Sequence, residues 1–255
     1  MKSKLIILGC GSSVGSPRID GHWGNCKKNQ KKNTRTRCSA IIIKGSNSVL
    51  IDTSPDLRYQ LLSNKIKNIS SVVFTHEHAD QTNGLFELRP FFWKNKKKIN
   101  IYANKHTIKH LKKRQDYLFI RKSHDPILKS NIIKSKFSLG KKDEKISFNI
   151  IKVRHGYTNC LGYIFDKTAY ISDCKDLSII NSDLLRNLNY LILDCLKFNK
   201  HPTHFNLQET LYVSDCLKPK KTILTNLHYD MDYDYLMKIL PKNVIPAYDG
   251  MSLKL

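Results

Sequence analysis

An α/β (α+β) sandwich, two packed β-sheets flanked by helices, is the fold class this 255-residue sequence predicts. Three observations lead to it. Short β-type apolar runs recur from one end of the chain to the other. The early runs pair as hairpins and helical spacings alternate with the later ones, which suits two sheets with outer helices in a single domain, residues 1–255. Polar residues with metal-binding chemistry stand at the ends of several runs, where α/β-type folds tend to place their sites.

The strand-type segments are, in order, "KLIILG", "SAIIIKG", "SVLIDT", "VVFT", "NIYAN", "SFNIIKV", "LGYIFD", "TAYISD", "YLILDC" and "KTILTNL". Several are bounded by Gly, Asn, Asp or Pro. "SAIIIKGSNSVLIDTSP" has the form of a hairpin around "GSN", and "LGYIFDKTAYISD" of a second turning at Asp166-Lys167. Helical spacing appears in "SPDLRYQLLSNK", "TIKHLKKRQDYLF", "NLQETLYVSDCL" and "YDYLMKIL", and "SPD" offers an N-terminal cap to the first. The glycines of "GCGSSVGSP" precede no helix pattern, so they read as a tight turn after the first strand and not as a phosphate cradle. The lysine-rich segment 27–37 reads as the most mobile loop.

Composition narrows the function. No stretch approaches the roughly 20 apolar residues that span a bilayer. The apolar part of "MKSKLIILGCGSS" is only "LIIL", short of the roughly 7–15 residues of a signal-peptide core, so the expected location is the cytoplasm. Seven cysteines with no C-x-x-C pair make a poor disulfide framework and a poor zinc-finger pattern. The 44 Lys+Arg against 21 Asp+Glu give a net charge of +23. Lysine recurs with asparagine and isoleucine throughout, so compositional bias accounts for much of that charge. It still favours anionic substrates over cationic ones and leaves a nucleic-acid partner open without favouring it.

The chemistry concentrates in "VVFTHEHADQTNGLFELRP", residues 72–90. His76, His78 and Asp80 alternate, so in an extended segment they point to one side and converge on a single pocket. Imidazole with carboxylate suits Zn²⁺, Mn²⁺ or Fe²⁺ better than calcium or magnesium. Further candidates follow at strand ends: His155 after "IIKVR", Asp173 after "AYIS" and His228 after "TILTNL". A lone histidine there would be an ordinary polar residue. Three such ends after an H-x-H-x-D form a constellation.

That constellation resembles the metallo-β-lactamase superfamily, whose αββα sandwich carries H-x-H-x-D-H and then His, Asp and His. The likeness extends over the whole chain, through "ILGCGSSVGSPR", "RCSAIIIKGSNSVLIDTSPDLRYQL", "GLFELRP" and "AYDGM". These details are most similar to the PhnP-like branch, phosphodiesterases that open cyclic phosphates. The resemblance implies that His76, His78 and His155 hold a first metal ion, that Asp80 belongs to a second and that Asp173 bridges both. Where the family has a His directly after "LT", this chain has Asn226, and His228 two places on shares its face in an extended chain. Two divalent ions, Zn²⁺ or Mn²⁺, are therefore expected. Gln81 stands where the motif has its next His and is a weak ligand at best, so the second ion is expected to be the weaker. Of the cysteines in the family's early-loop zinc site only Cys26 is present, and no structural zinc is expected.

The resemblance also aligns His204, in "KFNKHPTHFNLQE", with a histidine that meets the phosphate or protonates the leaving oxygen. His201 is a further substrate-binding candidate, and Arg89 can contact an anion or form a structural ion pair. Asp80, Asp173 and His204 are thus the expected catalytic residues. The implied activity is that of a metal-dependent hydrolase, cleaving a cyclic phosphate or other small phosphodiester by attack of a metal-activated hydroxide. Alternatives are an RNA-processing nuclease of the same superfamily, and a biosynthetic accessory or binding protein with a weakened metal site. A homodimer is the family's suggestion for assembly.

Overall fold

The computed structural model describes residues 2–120 and 125–255. The amino-terminal half forms β1 (Ser3–Gly9), β2 (Ser39–Lys44), β3 (Asn47–Ile51), α1 (Leu57–Ser63), β4 (Ser71–Val73), α2 (Ala79–Thr82), α3 (Arg89–Asn95), β5 (Ile99–Ala103), α4 (Lys105–Arg114) and β6 (Leu128–Ile132). The remainder forms β7 (Lys136–Leu139), β8 (Ile146–His155), β9 (Thr158–Phe165), β10 (Thr168–Ile171), β11 (Tyr190–Asp194), α5 (Leu207–Leu217), β12 (Lys221–Thr225), α6 (Tyr233–Ile239), β13 (Val244–Pro246) and β14 (Met251–Lys254). The strands make two seven-stranded mixed sheets, ordered β14-β1-β2-β3-β4-β5-β6 and β13-β12-β11-β10-β9-β8-β7.

Alternation along the strands builds the layers. In β1, Leu5 and Ile7 face the second sheet while Ile6 and Leu8 lie under the outer helices. In β3, Val49 and Ile51 face inward and Leu50 outward. The inner faces meet Phe148, Tyr163, Phe165, Tyr170, Ile192 and Ile223 of the second sheet in one shared core. Leu57, Leu61, Ile108 and Leu111 of α1 and α4 cover the first sheet, and Val213 and Leu217 of α5 cover the second. Burying one such side chain stabilises the fold by about 1.5–3 kcal/mol, so the sandwich rests on many modest contributions.

Both expected hairpins form, joining β2 to β3 and β9 to β10. At the second turn Asp166 and Lys167 have φ of 42° and 55°, the paired left-handed residues a tight two-residue turn requires. The glycine-rich stretch after β1 is a turn, as expected. A Cβ at Gly9 would lie 2.2 Å from the Arg37 carbonyl oxygen, so only glycine admits this close approach.

Two local expectations are refined. Of the "SPD" segment it is Ser54 that meets the start of α1, its Oγ accepting the Asp56 N–H at 3.0 Å, while the Asp56 side chain makes no cap bond. Its carboxylate accepts the backbone N–H of Arg37 and faces that guanidinium at 2.8 Å, because the neighbouring loop brings a cation to it. The segment 27–37 is held in place despite its lysines. Arg35 is 2% exposed and donates to the carbonyls of Met231 and His228, while buried Asn33 donates to Asp232 and accepts from the Tyr233 N–H. Charge on a loop predicts solvent only when no buried acceptors wait for it.

Candidate metal centre

Strand ends from both sheets open on one edge of the sandwich. After β4 the chain runs extended through Thr75, His76 and His78, and the other sheet fixes its path. Tyr163 donates its hydroxyl to the Phe74 carbonyl at 2.6 Å, and the Leu161 N–H donates to the Thr75 carbonyl at 2.9 Å. His155 ends β8, Asp173 follows β10, Asp194 ends β11 and Asn226 follows β12. They meet around a cavity of about 280 Å³, whose lining includes His78, Asp80, His155, Asp173, His204 and Asn226.

The imidazoles of His76, His78 and His155 bring one ligand atom each to within 4.8 Å of one another, and so do His155, Asp173 and His204. The outer nitrogens of two of them are tied down. Thr75 Oγ1 donates to Asp52 and lies 3.0 Å from His76 Nδ1, so with its own hydrogen committed it accepts from that ring nitrogen. His76 Nε2 is then an acceptor, and it is buried without a partner among the described residues. Burial lowers the His76 pKa to about 4, keeping the ring in its neutral, ligating form. His155 Nδ1 donates to the Thr203 carbonyl at 2.8 Å, which likewise leaves Nε2 as the free acceptor. An orphaned buried acceptor among converging imidazoles fits a divalent transition metal ion.

The opposite side of the cavity is built differently. Gln81, fully buried, directs Nε2 to Asp80 at 3.2 Å and to Asp173 at 3.5 Å. Burial and the adjacent Asp173 push the Asp80 carboxyl up, whereas the surrounding imidazoles hold Asp173 down despite its burial. Asn226, in the left-handed conformation at φ 60°, donates to Asp194 Oδ1 at 3.1 Å. His228 reaches the cavity wall but stands outside both ligand groups among the described residues. Its Nδ1 lies 2.9 Å from Asp230 Oδ2 without hydrogen-bond alignment, and its ring sits against Tyr229.

His204 faces His155 across the cavity, ring centroids 4.4 Å apart, and its Nδ1 lies 2.8 Å from Asp194 Oδ2. Burial alone would lower its pKa, yet the Asp194 carboxylate raises it to about 9, so this imidazole carries a proton at neutral pH. Burial pushes Asp194 itself up, opposed by the imidazolium and by the Cys174 N–H. A capping box between Asn206 and Glu209 starts α5 two residues on and fixes the loop that carries His204. His201 is half-buried on the same wall, its pKa lowered by burial and by nearby cationic groups. Arg89 lies over the rings of Phe86 and Trp93 and is absent from the cavity lining.

Residues 47–229 match the β-lactamase superfamily domain, most of the chain's length. The crystal structure of a diphosphatase from the PhnP family superposes with a TM-score of 0.89, at 31% identity, over 100% of this chain and 98% of that one. The chain belongs to the metallo-β-lactamase superfamily and is PhnP-like. Human short-form tRNase Z shares the fold, with a TM-score of 0.69 at 15% identity over 98% of each chain. An octanoyltransferase of Porphyromonas gingivalis is 28% identical over 254 residues, 98% of this chain. Those residues are 51% of that protein, so the chain spans about half the length of the curated relative it matches.

Within this metallo-β-lactamase frame, three kinds of residue on or behind the cavity wall escaped sequence reasoning. Asp194 ends a strand as Asp173 does, and that position was the available signal for it. Lys197 lines the cavity three residues after β11, hidden among the chain's many lysines. Ser12 and Ser13 come from the glycine-rich turn, and Ser12 Oγ is buried without a partner on the cavity wall.

Proposed function

We propose that this protein is a metal-dependent phosphodiesterase acting on a small anionic substrate such as a cyclic phosphate. The observation that carries the reading is the pairing, across one small cavity, of the three converging imidazoles with the Asp194-supported His204. His76, His78 and His155, with Asp173 beside them, would hold a divalent ion. Bound there, it supplies Lewis acidity toward water and a phosphoryl oxygen.

The chain's own groups do the rest. Lys197 and the Ser12 hydroxyl supply a charge and a hydrogen bond to phosphate oxygens on the cavity wall. His204, held by Asp194 with Nδ1 committed, presents its other N–H to the departing oxygen and donates the proton it needs. Asp173, ionised among the imidazoles, orients the attacking water. A cavity of about 280 Å³, open on one side, suits a small sugar phosphate better than a bulky ligand.

A hydrolysis panel with Zn²⁺ and Mn²⁺ tests this. It contains bis-p-nitrophenyl phosphate, ribosyl 1,2-cyclic phosphate, 2′,3′-cyclic nucleotides, a precursor transfer RNA and a thioester. Metal-dependent turnover of a small phosphodiester is expected, and turnover of the thioester alone would overturn the reading. The +23 charge favours a second reading, an RNA-processing nuclease. In that case the precursor RNA is cleaved best, and its affinity falls steeply with salt.

A further inference from the structure

Among the described residues, His76 Nε2 and Gln81 Oε1 are both buried without a hydrogen-bond partner, and the two sides of the cavity differ in what surrounds those atoms. Across the cavity the two carboxylates that a second cation would neutralise already share a donor, the Gln81 amide. The amide's orientation follows from charge: with Oε1 turned that way, three oxygens would face one another with no proton or cation between them. Its backbone is held as well, by the Thr53 N–H donating to the Gln81 carbonyl and the Gln81 N–H donating to His78. The next position that could supply a ligand is Asn226, an amide whose NH₂ group is spent on Asp194 beside His204 Nδ1 and whose oxygen is a weaker ligand than imidazole. His228, two residues on, lies beside Asp230 and outside the ligand groups.

We propose that this chain binds a single divalent ion per active site, at the three imidazoles, and that the Gln81 amide takes the place of a second ion between Asp80 and Asp173. The first ion rests on the metal site assigned under Proposed function, and the exclusion of the second rests on Gln81 and Asn226. A neutral NH₂ group offers partial positive charge to both carboxylates and keeps them apart from solvent. It cannot ligate as imidazole does, so a second ion must displace these hydrogen bonds and turn the amide before it gains one weak oxygen ligand.

Metal counting tests this without reference to turnover. Protein stripped with chelator is titrated with Zn²⁺ and with Mn²⁺, and bound metal is read by calorimetry and elemental analysis. One ion per chain is expected, with any second ion binding about 100-fold more weakly, the scale on which loss of a good ligand environment acts. The Mn²⁺-loaded protein should give the six-line spectrum of an isolated ion. Two tightly bound ions, or a spin-coupled Mn²⁺ pair, would overturn the proposal. No bound ion would overturn it together with the metal site itself, whereas one ion without hydrolysis of any substrate would retain it and reject only the phosphodiesterase reading. Gln81→His should raise the count to two in protein whose circular dichroism matches the parent, and a count still at one would show that Gln81 is not the cause. Should that variant fail to fold, the spectrum of the Mn²⁺-loaded parent decides alone.

Discussion

The imidazole side and the amide side of this cavity use the same strand-end positions for opposite purposes. On the first, Thr75 and Thr203 take up the outer ring nitrogens of His76 and His155, and the inner nitrogen of His76 is left buried with no partner among the described residues. On the second, Gln81 and Asn226 close hydrogen bonds with the carboxylates around them. A buried polar group left unmet costs free energy that a ligand recovers, and a group already met gives the ligand little to gain. Gln81 Oε1 is also unmet, but it is an amide oxygen that points away from the carboxylates its NH₂ group serves; the imidazole lone pair, the better donor to a transition metal ion, marks where the ion belongs.

Breaking the imidazole side should have the largest effect. His78→Ala is expected to lose bound metal and all phosphodiesterase activity while keeping its circular dichroism spectrum; full activity in metal-loaded variant protein would refute the assignment. His204→Ala should lower kcat about 10²–10⁴-fold on a substrate with an alkoxide leaving group. The same variant should lose far less on bis-p-nitrophenyl phosphate, whose nitrophenolate leaves without a proton. An equal loss on both substrates would mean His204 does not act as the acid.

Support behind the imidazoles comes next. Thr75→Val keeps the shape of the side chain but removes the acceptor for His76 Nδ1, and metal affinity measured by calorimetry should fall about 10–100-fold. Asn226→Ala provides the contrast on the amide side. The first ion should bind with unchanged affinity, because Asn226 reaches Asp194 and His204 and none of His76, His78 and His155.

The smallest effect concerns the base of the amide side. Leu227, beside Asn226, pairs with Cys10 and Ser12, and half-buried Asp249 accepts hydrogen bonds from the N–H groups of Cys10 and Thr36. Burial pushes the Asp249 carboxyl up to about 6. Its folded value thus exceeds the unfolded value of about 3.9, so its contribution is fully present below about pH 4 and is lost as pH rises through about 6. Asp249→Asn should flatten the dependence of stability on pH across that window by at most about 3 kcal/mol, measured by urea unfolding at pH 4 and pH 7. An unchanged slope would place the titration elsewhere.

Much of this was legible because periodicity and strand-end chemistry are local. Leu5 and Ile7 alternate with Ile6 and Leu8 whatever they pack against, and His76, His78, His155 and Asp173 each follow an apolar run. Partnerships across the chain were not legible. Nothing near Arg35 announces the Met231 carbonyl that accepts from it, and nothing near Asp56 announces that Arg37 would draw its carboxylate from the helix end. Gln81 showed only an absent imidazole; the two hydrogen bonds it makes instead required Asp173, 92 residues away, to be in place.

Diffraction at the zinc absorption edge from a crystal grown with Zn²⁺ tests the metal centre most directly. The expected result is an anomalous peak bounded by His76 Nε2, His78 and His155. These imidazoles facing only solvent, with any bound zinc elsewhere on the molecule, would contradict it.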